Sequence, residues 1–166
     1  MSADAGEPPR FRELARRSRR DRDASRAAVT ILKADSRVSQ AIERALGEAD
    51  LTLPQFNVLM ELAATPGAAL PLYELNARLI ATPPSTSWLS SRMEQRGLAT
   101  KTRDDRDARV VILSMTEAGW AALERAMPLV VEAERQVMAS YSVDELRTLA
   151  DLLCRLTTAP SATTAS

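Results

Sequence analysis

The stretch from Leu70 to Met115 limits the fold more than any other part of the chain, because it alternates helical and strand patterns across very short breaks. From about Leu72 to Ile80, Leu72, Leu75 and Leu79 recur at spacings of three and four, which puts them on one face of a helix. Ala81-Thr82-Pro83-Pro84 ends that helix, since neither proline can donate a backbone hydrogen bond and each restricts the residue before it. A second helix begins near Pro84 or Ser85, where a missing amide costs little, and runs to Arg96. Thr86, Leu89 and Met93 form its inward stripe; Ser85, Ser87, Trp88, Ser91 and Arg92 form its outward face.

Gly97 stops the second helix, and Ala99 to Arg103 reads as a strand. Arg109 to Met115 is rich in β-branched residues, with Val111, Leu113 and Met115 on one face and Val110, Ile112 and Ser114 on the other. Between the strands lies the charged turn Asp104-Asp105-Arg106-Asp107-Ala108. Helix, break, helix, strand, turn and strand outline a winged helix-turn-helix, a module that binds duplex DNA.

The outward face of the second helix suits a major groove: its hydroxyls and arginine can bond bases or phosphates, and first-turn amides attract phosphate oxygens. An ordinary solvated helix face has the same composition. Arg106 at the hairpin tip and Arg109 beside it can enter a minor groove or hold phosphates, with Asp107 orienting Arg109 through a carboxylate pair. The alternative is a solvated turn. Three acids repel DNA unless paired, so the turn serves DNA contact only with its arginines projecting.

The rest of the chain reads as helices around this module: a mainly α fold with a small β wing and a helical dimerisation region. Residues 1–25 form a flexible arginine-rich arm. Residues 26–50 are a dimerisation helix, extending from about Ser25 to Glu48 with Val29, Leu32, Val38, Ile42 and Leu46 in a loose stripe. Thr52 caps the next helix, Leu53 to Ala64, with Pro54 in its first turn and Gln55 as the reciprocal capping-box residue. That helix presents Phe56, Leu59, Met60 and Ala63 and stops at Thr65-Pro66-Gly67, after which Ala68 to Leu70 can add a third strand. The DNA-binding lobe spans residues 51–119.

Residues 120–157 supply further dimerisation helices, and 158–166 form a disordered tail. Thr116 to Gly119 cap the first of these helices, which carries Trp120, Leu123, Met127, Val130, Val131 and Val137 and is kinked at Pro128. Ser142 and Glu145 cap the last, which bears Leu146, Leu149, Leu152, Leu153 and Leu156. Packing these surplus apolar stripes against a symmetry-related copy sets two recognition helices about one DNA turn apart, roughly 34–36 Å. A monomeric helical bundle bearing a wing is the alternative.

Composition excludes more than it assigns. The formal net charge of the 166 residues is zero. Residues 10–26 nevertheless hold eight arginines against three acids, and residues 78–109 seven basic groups against four acidic ones, while 110–166 hold four against seven. Local potential, not net charge, decides approach to DNA. With no histidine and one cysteine, Cys154, an internal disulfide, a histidine-based triad and the usual Cys/His zinc site are all excluded. Cys154 reads as a packed thiol, with redox sensing as the alternative. The carboxylate pairs Asp104/Asp105 and Glu132/Glu134 lack an evident nucleophile or metal partner, so neither catalysis nor a cofactor is expected. The lack of a long apolar run or secretory leader points to a cytoplasmic protein without a membrane partner.

The segment Arg106-Asp107-Ala108-Arg109-Val110-Val111-Ile112-Leu113-Ser114-Met115-Thr116-Glu117-Ala118-Gly119 resembles the wing signature of the MarR family of transcription regulators. Asp107 and Arg109 match its acid and arginine. Arg92-Met93-Glu94-Gln95-Arg96-Gly97-Leu98 is similar to the end of that family's recognition helix, and the likeness spans about residues 26–157. The resemblance implies a homodimer whose recognition helices enter adjacent major grooves of an approximately palindromic operator and whose wings reach minor grooves. It also implies a pocket for a small aromatic or anionic effector. Trp88 departs from the family's usual polar or basic reader, and either stacks on sugar, touches thymine methyls or packs inside. Cys154 does not match the N-terminal cysteine of the redox branch. The expected function is sequence-specific regulation, as a repressor; an architectural DNA binder or a ligand-responsive protein-interaction module is the alternative.

Overall fold

The computed structural model describes residues 18–79 and 86–158. The arginine-rich start before Ser18, the Pro83-Pro84 break with Ser85, and the polar end beyond Thr158 lie outside the described residues. The elements are α1 (Arg19–Glu48), α2 (Leu53–Ala63), a 3-10 turn (Pro66–Ala68), β1 (Ala69–Pro71), α3 (Leu72–Arg78), α4 (Thr86–Gln95), β2 (Ala99–Arg103), β3 (Val111–Met115), α5 (Glu117–Val137) and α6 (Val143–Thr158). The fold is mainly helical with a three-stranded wing, as the sequence pattern predicts. The chain divides into two units, residues 1–39 and 40–166.

In the first unit, α1 begins earlier than Ser25. The Ser18 hydroxyl accepts from the Asp21 amide at 3.2 Å, while the Asp21 carboxylate accepts from the Ser18 amide at 3.0 Å. This reciprocal cap supplies partners for amides that the first helical turn leaves unpaired, and it fixes the start.

In the second unit, the end of α1 contributes Leu46 to a core shared with Phe56, Val58, Leu59 and Leu62 of α2, Leu75 of α3, Leu89 and Met93 of α4, Leu113 of β3, and Leu123 and Val130 of α5. The expected capping box of α2 is present: the Gln55 amide donates to the Thr52 hydroxyl, and the Thr52 amide donates to Gln55 Oε1 at 3.1 Å. Met60, expected inward, is exposed, while Val58 and Leu62 are buried. Because α2 packs on α3, α4, α5 and β3 rather than on a single partner, its buried face extends to Val58 and Leu62, beyond the stripe that periodicity alone marks.

The expected third strand forms one residue later than predicted, and the antiparallel sheet runs β1-β3-β2, with Leu70 opposite Leu113 and Lys101 opposite the same residue from the other side. Helix α5 starts at the predicted Thr116 cap, whose hydroxyl accepts from Gly119 N at 3.1 Å, and runs without a break through Pro128. Val131, expected on its buried stripe, is exposed. Helix α6 carries its predicted Ser142–Glu145 cap but has no buried residue: Leu149, Leu152, Leu153 and Leu156 are all exposed. Cys154 shares that surface and is exposed, so a thiol packed inside the single chain is corrected. Among the described residues, no helix is long and apolar enough to cross a membrane.

Candidate nucleic-acid interface

Helix α4 is held from both ends. At its start the Thr86 hydroxyl bonds Asn76 Oδ1 of α3 at 2.6 Å. Ser90, with Leu89 and Met93, forms the buried side, and its hydroxyl donates to the Ser87 carbonyl at 2.9 Å, so burial leaves no polar atom unpaired. At its end Gly97 adopts φ +70, Gly97 N donates to Glu94 O and Leu98 N to Met93 O, both at 2.9 Å. That paired closure, which favours glycine at the left-handed position, turns the chain into β2.

Arg96 supplies a tie that sequence reading did not find. Its guanidinium donates to Gln55 Oε1 at 3.0 Å and to both the carbonyl and the carboxylate of Asp50, at 2.6 and 2.5 Å. Gln55 is 3% exposed and belongs to the α2 cap, so the end of α4 is fastened to the turn where α1 passes into α2. Asp50 sits at φ 55, an uncommon conformation for a residue with a side chain, which the contact with Arg96 helps to hold.

On the opposite face of α4, Ser87, Trp88 and Arg92 are exposed, and Trp88 is 67% accessible. Packing inside, one alternative for Trp88, is thereby removed. Ser91 differs: it is half-buried, its hydroxyl donates to the Ser87 carbonyl at 2.9 Å, and it accepts from Lys101 Nζ at 2.8 Å. Ser85 lies outside the described residues.

The hairpin engages two of its three acids internally, while Asp105 stays exposed. Asp104 Oδ1 accepts from the amides of Arg106 and Asp107 at 2.8 and 3.0 Å, and Asp107 Oδ1 accepts from the Arg109 amide at 2.9 Å. Asp107 therefore organises the wing through the backbone of Arg109, not through the expected carboxylate–guanidinium pair. Within two residues of an aspartate, the main-chain amide is the nearest donor, and an Asx turn results. Arg103 closes the loop by donating to Ala108 O at 2.5 Å. The guanidinium groups of Arg92, Arg106 and Arg109 make no hydrogen bond or ion pair with the described residues. The region thus presents three unengaged cations on an exposed helix face and an adjoining hairpin, while two of the nearby carboxylates are occupied by amides.

Glu132, one of the carboxylates paired in the sequence, is engaged by its own helix. Glu132 accepts from Arg135 and Gln136, and those contacts, the arginine's first, hold its carboxyl below the ordinary range. A general acid at neutral pH requires the opposite displacement. Among the described residues no group of three or more His, Cys, Asp or Glu side chains is placed to hold a metal.

Comparison with known proteins bears on this geometry. The model of the MarR family matches residues 51–111, the span from the α2 cap to the start of β3. The chain is 30% identical over 104 residues to the homoprotocatechuate degradative operon repressor of Escherichia coli, covering 63% of this chain and 69% of that protein. It is 33% identical over 127 residues to the HTH-type transcriptional regulator PecS of Dickeya dadantii, covering 73% and 76%. Among solved structures, a MarR variant from E. coli complexed with operator DNA superposes with TM-score 0.71 at 22% identity, over 78% of this chain and 91% of that one. The organohalide-sensing regulator RdhR-CbdbA1625 in its 2,4-dichlorophenol-bound form gives TM-score 0.78 at 24% identity, over 99% and 94%. At these identities the two structures establish the shared fold.

Proposed function

The chain belongs to the MarR family of DNA-binding regulators, and from that premise we propose that it acts as a homodimeric repressor on a short, approximately palindromic operator. The observation that carries the reading is the set of exposed guanidinium groups of Arg92, Arg106 and Arg109 without a partner among the described residues, with Asp104 and Asp107 turned into the backbone. In this proposal residues 51–119 are the DNA-binding lobe, flanked by dimerisation segments at 26–50 and 120–157. Ser87, Trp88 and Arg92 face the major groove. Arg106 and Arg109 grip the minor groove or its phosphates, and Asp107 sets the hairpin that carries them.

The wholly unburied α6 supports the homodimer, because an apolar stripe of four exposed leucines is costly in water and is relieved by a second copy. A small aromatic or anionic effector is proposed as the modulator. Its support is that a protein of this fold takes 2,4-dichlorophenol. Such a molecule alters operator affinity only by binding two conformations of the dimer unequally.

Selection from a pool of random-sequence duplexes, followed by footprinting, tests the proposal. Recovery of an inverted repeat whose half-site centres lie about 10 base pairs apart is expected. Retention without sequence preference would indicate an architectural binder, and no retention at all a protein-interaction module; either outcome rejects it.

A further inference from the structure

Lys101 joins the wing to the recognition helix. It lies in β2, the edge strand of the sheet, and its Nζ reaches Ser91 Oγ at 2.8 Å and Glu94 Oε2 at 3.2 Å, both on α4. The other oxygen of the same carboxylate, Glu94 Oε1, accepts from the Lys101 backbone amide at 3.2 Å. One carboxylate therefore holds both the side chain and the main chain of one strand residue, and one serine hydroxyl completes the shell. The Lys101 side chain is 23% exposed, so its charge is satisfied within the protein, unlike those of Arg92, Arg106 and Arg109.

We infer that Lys101, with Ser91 and Glu94, is a positioning device that fixes the angle between the hairpin and helix α4, so that both grooves can be engaged at once. Ser91 then works through Lys101 and not as a base reader: its proton goes to the Ser87 carbonyl, and it already accepts from the ammonium. The inference rests on the wing entering a minor groove beside the helix. Its physical basis is leverage. From Lys101 the strand runs on to Arg103, about 7 Å at roughly 3.3 Å per residue, and the turn carries Arg106 beyond it, so a tilt of about 25° at the base moves the end of the strand by about 3 Å. A minor groove is about 6 Å wide, and a displacement of half its width takes an arginine off its floor.

Protection of a selected duplex is read separately in the two grooves, by dimethyl sulfate at guanine N7 and by hydroxyl radicals at the minor-groove sugars. Wild-type protein protecting the major groove while leaving the flanking minor groove open would reject the wing reading itself, before any variant is compared. Given wild-type protection of both grooves, Lys101→Met and Ser91→Ala keep the major-groove pattern at saturation and lose most minor-groove protection. Lys101→Arg, which can still reach Glu94, keeps both. In the Lys101→Met background, Arg109→Ala costs less than about a third of its wild-type fold-loss of affinity, since the two changes act on one contact. Should Lys101→Met fail to fold by circular dichroism, Ser91→Ala, which removes a single oxygen, carries the same expectation. Folded variants that protect both grooves as wild type does, or that lose both together, would overturn the assignment.

Discussion

Replacing Arg109 by alanine gives a result whose size also counts the copies on DNA. Helix α4 and the hairpin offer three guanidinium groups without a partner among the described residues, those of Arg92, Arg106 and Arg109, and the two chains of the proposed dimer bring six to the duplex. At about 0.9 counterion released per phosphate contact, the logarithm of affinity should fall against the logarithm of salt with a slope near −5.4, or about 2,000-fold between 50 and 200 mM. The formal net charge is zero, so a steep slope cannot come from bulk attraction and must report the local cations. Arg109→Ala removes one contact from each copy and should flatten the slope by about 1.8, whereas a single bound chain would give about 0.9. Fluorescence anisotropy of a labelled selected duplex across a salt series reads both numbers. An unchanged slope in the variant, or a wild-type slope near zero, would refute the assignment of Arg109 and the electrostatic reasoning with it.

Gly119→Ala should destabilise the protein severely, because the added Cβ would sit 2.2 Å from the Leu98 carbonyl oxygen, a backbone atom that cannot swing aside. A loss of at least about 3 kcal/mol, read as a fall in melting temperature of roughly 6–12 °C at fixed protein concentration, is expected. Gly47→Ala, where the new atom meets nothing within 4 Å, is the matched control and should not lower the melting temperature. Leu152→Glu with Leu156→Glu should convert the proposed dimer to monomers in sedimentation equilibrium, since burial of four such leucines contributes on the order of 6 kcal/mol or more. In acid, the α6 cap should weaken: the Ser142 backbone amide and then its hydroxyl hold the Glu145 carboxyl below its ordinary 4.5. A lowered pKa contributes stability above the ordinary value and loses it as pH falls through the folded one. Glu145→Gln should therefore flatten the decline in helicity below about pH 4.5, measured by circular dichroism.

Legibility in the sequence followed distance along the chain. The caps at Thr52/Gln55, Thr116 and Ser142/Glu145 join residues three apart, so local spacing is enough to find them, and each formed as read. The hairpin was equally plain, because strand alternation and a charged turn occupy consecutive positions. Arg96 with Asp50 and Gln55, and Lys101 with Ser91, depend on how α4 lies against α2 and β2, which no local pattern encodes. Asp107 shows the finer limit: its nearness to Arg109 was evident, but not that the backbone amide would take the carboxylate before the guanidinium could. For Leu152, Leu156 and Cys154, periodicity disclosed an apolar face without saying whether the same chain covers it.

The account turns on two wings of one dimer reaching the duplex on either side of its recognition helices. An iron chelate that generates hydroxyl radicals, attached at position 105 through Asp105→Cys with the exposed Cys154 changed to serine, maps the hairpin tips directly on the selected operator. The account predicts two clusters of strand cuts placed symmetrically about the operator centre, each with the 3′ offset that marks a minor groove. A single cluster, or cuts scattered along the duplex, would contradict it.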